Sequence, residues 1–273
     1  MNDYKWCVCD MDGTLLNSEK EISQEDKKAL KKLQNDGVEV MIASGRVDTL
    51  LKLYIKELSL NGYIICCNGG LIKNIRTGKI LYSKIINKDD VRRVLTQCFR
   101  DNLSFLVYTV DQVYSNEGNR IGEKYRRLNK TFDKDSKIPI NFVDDKLMDS
   151  IDGMGVLKIL LVCDERAEVI ELERNFSKYN GLTVVSSGET LVDIMASNIS
   201  KGNALEILSK KLNVSLSRVI AFGDNYNDID MLKIVGMPIA MENAVEDARS
   251  AAKYVTKSCD DSGIAYAINN IIK

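Results

Sequence analysis

The sequence predicts an α/β protein with a buried parallel sheet, into which a second α/β domain is inserted. Wholly apolar segments alternate with amphipathic ones in the first and last thirds of the chain, as in βαβ units. The middle third has a different order of predicted helices and strands. The length of 273 residues suits one large domain or two smaller ones. We therefore expect one domain at 1–85 and 188–273, with an inserted domain at 86–187.

The first forty residues predict a strand, a helix and a second strand. The apolar segment Trp6–Cys9 predicts a buried strand that ends abruptly at Asp10. Ser23 is a predicted helix cap because acidic residues follow it in the first turn. Gly37 is predicted to end that helix, and the apolar segment at 38–43 predicts the next strand.

Two more elements and a hairpin complete the first third. The letters SGR at 44–46 precede a predicted helix that runs through about Leu58. A predicted strand at 63–67 ends at the letters NGG. A hairpin turn is expected at 76–78, where the letters RTG stand.

The last third returns to alternating strands and helices. Strands are predicted at Leu191–Ala196, at 219–222 and at 237–241. Ser200 is predicted to cap one helix, and a terminal helix is predicted from about Ser262. We expect these elements to extend the parallel sheet of the first third.

The composition excludes several kinds of active site. With no histidine, the chain cannot use a Ser-His-Asp or Cys-His nucleophile, a histidine-ligated zinc or an imidazole base. Carboxylates, hydroxyls, lysines or a hard metal must therefore perform any catalysis. The net charge is −1, from 38 Lys and Arg against 39 Asp and Glu. This balance gives no reason to expect a nucleic acid or an anionic membrane as a partner.

Seven cysteines, none spaced CxxC, indicate free thiols rather than a disulfide framework. Several lie in apolar segments, where a thiol packs as a small core residue. The chain opens with no signal-peptide pattern, and no apolar run approaches the ~18 residues of a membrane helix. We expect a protein of the reducing cytoplasm.

Two carboxylates, Asp10 and Asp12, follow the first predicted strand. Alternation along an extended chain would place both on one side, at the carboxyl end of a parallel strand where such sheets bind ligands. Close carboxylates repel each other, so a cation could hold them there, or one could stay protonated. The alternative interpretation is an ordinary Asp-Gly turn with capping acids.

A second polar group follows the predicted strand at 219–222, in the letters GDNYND. A helix cap would account for part of it, but its acids and amides exceed what one cap needs. Asp224, with Asp10 and Asp12, would supply the incomplete all-oxygen shell that Mg²⁺ prefers. A site without histidine fits Mg²⁺ better than zinc or copper.

Two further polar positions could contact a phosphate. Ser44 either caps the following helix or forms, with the N–H of Gly45, an anion site at that helix N-terminus. Lys201 stands in the first turn of a predicted helix, where it opposes the helix dipole unless an anion is near. It is either a surface lysine or a ligand that neutralises charge on a transferred phosphoryl group.

Taken together and in order, these motifs resemble the haloacid dehalogenase superfamily, and within it the Cof-type subfamily of sugar-phosphate phosphatases. The segments that carry the resemblance are DMDGTLL at 10–16, IASGR at 42–46, NG at 68–69, SKGNAL at 200–205, GDNYND at 223–228 and AMENA at 240–244. It spans almost the whole chain and is least specific in the inserted region. It implies a Rossmann-like core domain with an inserted α/β cap domain.

The resemblance also implies a reaction. A Mg²⁺-dependent enzyme would hydrolyse a small phosphorylated metabolite, such as a sugar phosphate, through an aspartyl-phosphate intermediate. Asp10 would be the nucleophile, and Asp12 would protonate the leaving oxygen and then deprotonate water. Mg²⁺ would be held by the Asp10 carboxylate, the Asp12 main-chain carbonyl and Asp224, with Asp228 in support. The implied phosphate ligands are Ser44, Lys201, Asn227 and the main-chain N–H of Met11.

The chain departs from the usual pattern of the subfamily at two places. Relatives often carry glycine at the position of Glu242, and asparagine followed by aspartate near Asp260 and Asp261. Neither place belongs to the implied nucleophile, metal or phosphate residues. The departures therefore bear on loop contacts around the site.

Other functions remain compatible with parts of the pattern. A phosphomutase could use the same aspartyl-phosphate, and a phosphate-binding regulatory protein could keep the fold without catalysis. A dehalogenase is disfavoured because Asp12 would have no task in breaking a carbon–halogen bond. An ion-pumping ATPase is excluded by the lack of predicted membrane helices. The sequence is compatible with either a monomer or a homodimer.

Overall fold

A computed structural model describes residues 3–134 and 137–272 of the chain. Along these residues the strands are β1 (Trp6–Cys9), β2 (Glu39–Ala43), β3 (Tyr63–Cys66), β4 (Leu71–Asn74), β5 (Ile80–Ser83), β6 (Phe105–Tyr108), β7 (Val113–Asn116), β8 (Ile140–Val143), β9 (Lys158–Val162), β10 (Leu182–Gly188), β11 (Leu191–Ala196), β12 (Val219–Gly223), β13 (Met237–Ala240) and β14 (Tyr254–Val255). The α-helices are α1 (Gln24–Asn35), α2 (Lys52–Glu57), α3 (Lys88–Arg100), α4 (Arg120–Leu128), α5 (Leu147–Ser150), α6 (Arg166–Phe176), α7 (Lys201–Leu212), α8 (Ile229–Ile234), α9 (Glu246–Ala251) and α10 (Gly263–Asn270).

The chain divides into two compact units, and the α/β class predicted from the sequence is confirmed. The first unit holds the chain up to Arg46, the segment Tyr54–Tyr82 and the chain from Ser200 onward. The second unit holds Val47–Leu53 and Ser83–Ile199. Each unit has a sheet of its own.

The sheet of the first unit has the strand order β14-β13-β12-β1-β2-β3-β4-β5. The strands from β14 to β3 are parallel, and β4 runs antiparallel to β3. In β1, Cys9 lies opposite Ile42 of β2 on one side and Phe222 of β12 on the other. The neighbours of β1 are β2, which follows it in the chain, and β12, which comes from the last third of the chain. The order in which the chain adds strands therefore reverses at β1. Parallel sheets open a ligand crevice at the carboxyl ends of such strands.

Burial and capping explain why the first elements form where the sequence predicts them. All four residues of β1 are buried, as expected for a central strand covered on both faces. Ser23 caps α1 by accepting the N–H of Asp26 at 3.1 Å, and Leu30 and Leu33 are buried on its inner face. Beyond the helix, Gly37 has φ +85°, a conformation that glycine adopts without strain.

The chain after Arg46 does not form the single helix predicted through about Leu58. A 3₁₀ turn at Asp48–Leu50 comes first, and α2 follows at Lys52–Glu57. Val47, the residue before the 3₁₀ turn, makes no side-chain cap. The prediction was wrong here because Val47 and Thr49 are β-branched and Asp48 is a poor helix former, so the residues after Arg46 do not favour a regular α-helix.

The second unit is built on a six-stranded sheet of order β10-β11-β9-β6-β7-β8. Its strands pair antiparallel except for β7 and β8, which are parallel. Apolar residues of α3 and α6 are buried in one cluster with residues of the sheet. The second unit therefore has a hydrophobic core of its own.

The strand Leu191–Ala196 was expected in the first sheet, but it belongs to the second. As β11 it pairs antiparallel with β10 and with β9. Only residues 189 and 190 separate β10 from β11, and so short a connection favours a hairpin. The compact unit consequently reaches Ile199, whereas the sequence placed the boundary before residue 188.

All seven cysteines lie within the described residues, and each is a buried free thiol. Among residues 3–134 and 137–272, no helix has both the length and the apolar character needed to cross a membrane.

Candidate active site

Asp10 is the first residue after the buried strand β1, and it contacts a fully buried lysine. The Nζ atom of Lys201 donates a hydrogen bond to Asp10 Oδ1 at 2.5 Å and to Asp228 Oδ1 at 2.6 Å. Lys201 is the first residue of α7, as predicted, and Ser200 caps that helix by accepting the N–H of Asn203. Burial disfavours the charged amine, but the two carboxylates outweigh burial and raise the pKa of Lys201. Lys201 is therefore a cation between two aspartates, not a surface lysine.

Asp224 and Asp228 belong to the loop that follows β12. The Oδ2 atom of Asp228 accepts the N–H groups of Asp224 and Asn225, both at 3.0 Å. Thr14 donates its hydroxyl proton to Asp224 Oδ1 at 2.6 Å, which joins this loop to the loop after β1. These bonds fix both carboxylates within the segments that follow β1 and β12.

Asp10, Asp224 and Asp228 form a group with negative charge in excess. Each offers a carboxylate oxygen within 4.8 Å of the others. Lys201 supplies one positive charge against these three acids. Burial raises the pKa of Asp10 well above its ordinary range, although Lys201 opposes the shift. Burial and the neighbouring Asp228 charge raise the pKa of Asp224 to about 6.

This donor set fits a hard divalent cation. Its ligand atoms are all oxygens, and its uncompensated charge would be balanced by a bound Mg²⁺. Gly13 leaves room beside the group, because a Cβ atom there would lie 2.4 Å from Asp224 Oδ2. Gly13 also has φ +85°, so the turn suits glycine for two reasons.

The Asp12 side chain lies outside this carboxylate group, contrary to the expected alternation. Strand β1 ends at Cys9, and a turn begins at Met11, so the chain is no longer extended between Asp10 and Asp12. Period-two alternation holds only within an extended strand. The acid that joins Asp10 and Asp224 is Asp228 instead.

Two cations hold the Asp12 carboxylate. Arg46 donates from Nε to Oδ2 at 2.8 Å and from a terminal nitrogen to Oδ1 at 2.7 Å. Lys20 donates to Oδ1 at 3.1 Å. Burial would raise the pKa of Asp12, but Arg46 and Lys20 outweigh burial and lower it. The guanidinium of Arg46 also lies 5.6 Å from the ring centre of Tyr54.

Ser44 follows β2 and is buried, but it does not cap a helix. Its Oγ atom accepts the N–H of Arg46 at 3.1 Å within the loop. The first helical turn begins at Asp48 and is preceded by Val47, so Ser44 and Gly45 do not form the helix N-terminus that the sequence suggested. Any anion contact by Ser44 and Gly45 therefore depends on the loop rather than on a helix dipole.

Asn227 and Met11 are the remaining predicted phosphate ligands. Asn227, after β12, donates from Nδ2 to Oδ1 of Asn68, after β3, at 2.9 Å. The Met11 side chain is fully buried, and its main-chain oxygen accepts the N–H of Leu16 at 2.8 Å. Met11 can thus serve a ligand only through its main-chain N–H.

Four residues of this site had no assigned role in the sequence. They are Thr14, Lys20, Arg46 and Asn68. Thr14, Arg46 and Asn68 lie in motifs that follow buried strands. That position is the sequence feature that could have indicated a role in the site. Lys20 comes eight residues after Asp12 with no pattern around it, so only the folded chain reveals it.

Loops from the C-terminal part of the chain support the turn after β1. Asn243 donates from Nδ2 to the Gly13 carbonyl at 2.8 Å and accepts the N–H of Cys259 at 3.0 Å. Asp260, at one of the two atypical places, accepts the N–H of Ser18 at 2.7 Å. The atypical residue thus makes a loop contact.

The site thus combines acids at the carboxyl ends of parallel strands with a lysine held between two of those acids. The sequence matches the profile of the haloacid dehalogenase-like hydrolases over residues 7–268. The chain belongs to this family, and the resemblance inferred from its motifs is confirmed.

Individual relatives agree with this assignment. The phosphatase YwpJ of Bacillus subtilis is 28% identical over 289 residues, covering 98% of this chain and 100% of the relative. The 5-amino-6-(5-phospho-D-ribitylamino)uracil phosphatase YcsE of the same organism is 30% identical over 268 residues, covering 98% of this chain and 96% of the relative.

Among solved structures, a haloacid dehalogenase-like hydrolase from Bacteroides thetaiotaomicron superimposes with a TM-score of 0.84 at 31% identity. The likeness covers 98% of this chain and 100% of that structure. The protein is therefore an enzyme of the phosphatase class, and its substrate is a phosphorylated compound.

Proposed function

We propose that this phosphatase hydrolyses a small phosphorylated metabolite, such as a sugar phosphate, with Mg²⁺ as its cofactor and Asp10 as its nucleophile. The observation that supports this most is the buried group of Asp10, Asp224, Asp228 and Lys201, in which negative charge exceeds positive. Such a group suits the transfer of an anionic phosphoryl group assisted by a hard divalent cation.

Asp10 begins the reaction. One of its carboxylate oxygens attacks phosphorus in line with the ester oxygen, so the bond from phosphorus to the leaving oxygen breaks and an aspartyl-phosphate forms. Water then attacks phosphorus, which releases inorganic phosphate and restores the carboxylate. Lys201 contacts Oδ1 of Asp10 and holds the side chain in position for both steps.

Asp12 moves the proton in each step. It gives a proton to the leaving oxygen and later takes one from the attacking water. Its side chain is 44% exposed, which supports access to both the substrate and water. Arg46 contacts both carboxylate oxygens and keeps them oriented.

Mg²⁺ would be bound by the carboxylates of Asp10 and Asp224 and by the main-chain carbonyl of Asp12. When bound, it supplies positive charge that offsets the charge on the phosphoryl oxygens. Asp228 supports this set by accepting the N–H of Asp224.

The phosphoryl oxygens would be bound by groups at several strand ends and by Lys201 at the start of α7. These groups are the hydroxyl of Ser44, the main-chain N–H groups of Met11 and Gly45, the Lys201 amine and the Asn227 amide. All are uncharged donors except Lys201, which offsets charge as it develops on the transferred group.

The substrate within this class is proposed only by chemical type. YcsE acts on a phosphorylated ribityl compound, so a phosphate ester of a sugar or sugar alcohol is the candidate that a relative suggests. We also propose that the inserted domain, predicted at 86–187, determines which phosphate ester reacts.

Metal dependence tests the proposed function. With p-nitrophenyl phosphate, phosphate release should require added Mg²⁺ and stop when a chelator is in excess, because the carboxylate group carries uncompensated charge without a cation. Phosphate release that survives the chelator would contradict the proposal. Transfer of the phosphoryl group to a sugar, with no phosphate released, would indicate a phosphomutase instead.

A further inference from the structure

The segment Cys67–Gly69, which directly follows β3, has an unusual backbone. Its three residues have φ of +51°, +53° and +105°, so two consecutive non-glycine residues adopt the left-handed region. Side chains seldom allow this conformation, and it persists only where surrounding contacts hold the backbone in place. Contacts with three neighbouring parts of the chain hold this segment.

The segment contacts the loop after β2. The N–H of Asn68 donates to the Ser44 carbonyl at 2.9 Å, and the N–H of Cys67 donates to the Arg46 carbonyl at 3.0 Å. Between those two residues, a Cβ atom on Gly45 would lie 3.0 Å from Asn68 Oδ1. The absence of a side chain at Gly45 allows the Asn68 side chain to approach this loop.

The segment also contacts the start of α7. A Cβ atom on Gly69 would lie 2.2 Å from the Ser200 carbonyl oxygen, so only glycine fits against this helix cap. Ser200 immediately precedes Lys201, which contacts the proposed nucleophile. The position of α7 is thus tied to the same segment.

A third contact reaches the loop after β12. The Asn68 side chain is 3% exposed, and its Oδ1 atom accepts a hydrogen bond from Asn227 Nδ2 at 2.9 Å. An amide NH₂ group carries two N–H donors. With one held by Asn68, the second has a defined direction and can be given to a phosphoryl oxygen.

We infer that Asn68 is a positioning residue for the phosphate site: it orients the Asn227 amide, within a segment that also holds the Ser44 loop and the start of α7. This inference rests on the proposed function, since it assumes that Asn227 binds phosphate. Asn68 itself need not touch the substrate.

The test measures the KM for p-nitrophenyl phosphate and the inhibition constant of inorganic phosphate, both with Mg²⁺ present. Asn68→Gly keeps a residue that adopts positive φ without strain and removes the side chain whose Oδ1 atom accepts from Asn227. We expect about tenfold weaker phosphate binding and a similar rise in KM, equivalent to about 1.4 kcal/mol. Asn227→Ala should have the same effect, and the double variant should bind phosphate no more weakly than Asn227→Ala alone.

Asn213→Gly is the matched control. Asn213 has φ +54° at the C-terminal cap of α7 and is exposed, so its replacement changes the backbone in the same way without touching the site. It should leave KM and phosphate inhibition unchanged. Asn68→Ala and Asn213→Ala repeat the comparison with a residue that is disfavoured at positive φ, so any strain of the backbone is common to both variants.

Unchanged phosphate binding in Asn68→Gly would overturn the inference, and so would losses that simply add in the double variant. Loss of folding in both Asn68 variants, with both Asn213 variants folded, would show a purely structural residue and would also overturn it. A wild-type enzyme that neither turns over the ester nor binds phosphate would instead contradict the proposed function, and the inference with it.

Discussion

The Asp12 carboxylate has surroundings that favour one of its two proposed roles. Although burial alone would raise its pKa, Arg46 and Lys20 lower it. A carboxyl group held ionised is ready to accept a proton from water, as hydrolysis of a phosphorylated Asp10 requires. To donate a proton in the first step, Asp12 must first lose part of its contact with these cations.

Arg46 also fixes the orientation of the Asp12 carboxylate, so removal of the arginine contact should slow the step in which Asp12 takes a proton from water. In Arg46→Ala, Asp12 keeps only Lys20, and its carboxylate is no longer fixed at both oxygens. We expect kcat to fall about tenfold or more, a part of the roughly 100- to 10,000-fold that a positioned acid or base contributes. Steady-state kinetics with p-nitrophenyl phosphate measure this change.

Arg218→Ala is the control for that variant. Arg218 pairs with Asp3 at 3.0 Å and directly precedes β12, at the end of that strand opposite the site. Its loss removes a partly exposed arginine without affecting the Asp12 contacts. Equal kcat in Arg46→Ala and Arg218→Ala would contradict the positioning of Asp12 by Arg46.

Helices α1 and α10 are joined by a buried acid. Asp26 in the first turn of α1 accepts the N–H of Ala265 at 2.7 Å. Burial raises the pKa of Asp26, although the Ala265 and Ser23 contacts oppose the shift. Ionisation of Asp26 thus costs the folded state more than the unfolded one.

The sign of the pH dependence follows from this shift. Below the unfolded pKa of about 3.9, Asp26 is protonated in both states and its ionisation costs nothing. As pH rises through the raised folded pKa, wild-type stability falls relative to Asp26→Asn, which stays neutral and keeps an oxygen acceptor. Urea unfolding at several pH values should show a difference between the two proteins that grows with pH.

Asp26→Ala separates charge from hydrogen bonding. It removes the acceptor for the Ala265 N–H, so its free energy of unfolding should be about 1–3 kcal/mol lower than that of Asp26→Asn at every pH. A constant difference between wild type and Asp26→Asn across the pH range would contradict the raised pKa.

Local sequence signals predicted the elements that carry the site. The strands β1 and β12 and the helices α1 and α7 follow from apolar runs and capping residues, because both signals act over a few neighbouring residues. The position of the Asp12 side chain could not be predicted in this way. It depends on where β1 ends and on contacts with Arg46, which is 34 residues away in the chain.

For the whole molecule, the sequence predicted an α/β protein with an inserted α/β domain, but it did not predict to which sheet β11 belongs. Apolar composition predicted the strand Leu191–Ala196, yet the same composition suits either sheet. Pairing with β10 and β9 places β11 in the sheet of the second unit. A strand's pairing partners depend on the folded unit and cannot be read from its own composition.

The second unit contains a buried ion pair that should matter for its stability. Lys158 Nζ lies 3.0 Å from Asp193 Oδ1, and the two side chains are 7% and 1% exposed. Asp193→Ala leaves a buried ammonium group without this partner, so we expect a loss of about 3–5 kcal/mol in the free energy of unfolding. Thermal or urea unfolding measures the loss.

An exposed pair of the same unit provides the control. Arg92 and Asp152 are 41% and 46% exposed, so Asp152→Ala should change the free energy of unfolding far less than Asp193→Ala does. The double variant Lys158→Met with Asp193→Leu should recover much of the loss, because apolar side chains can replace a buried pair. If Asp193→Ala were as stable as Asp152→Ala, the Lys158–Asp193 pair would contribute little to the free energy of unfolding.

Covalent phosphorylation of Asp10 is the central step of the proposed reaction. Its most direct measurement is an acid-quenched turnover, with Mg²⁺, of a substrate that carries a radiolabelled phosphoryl group. We predict label bound to the wild-type protein, released by hydroxylamine as an acyl phosphate should be, and absent from Asp10→Asn, which lacks the nucleophilic carboxylate. Wild-type turnover with no bound label, or label that persists on Asp10→Asn, would contradict Asp10 as the nucleophile.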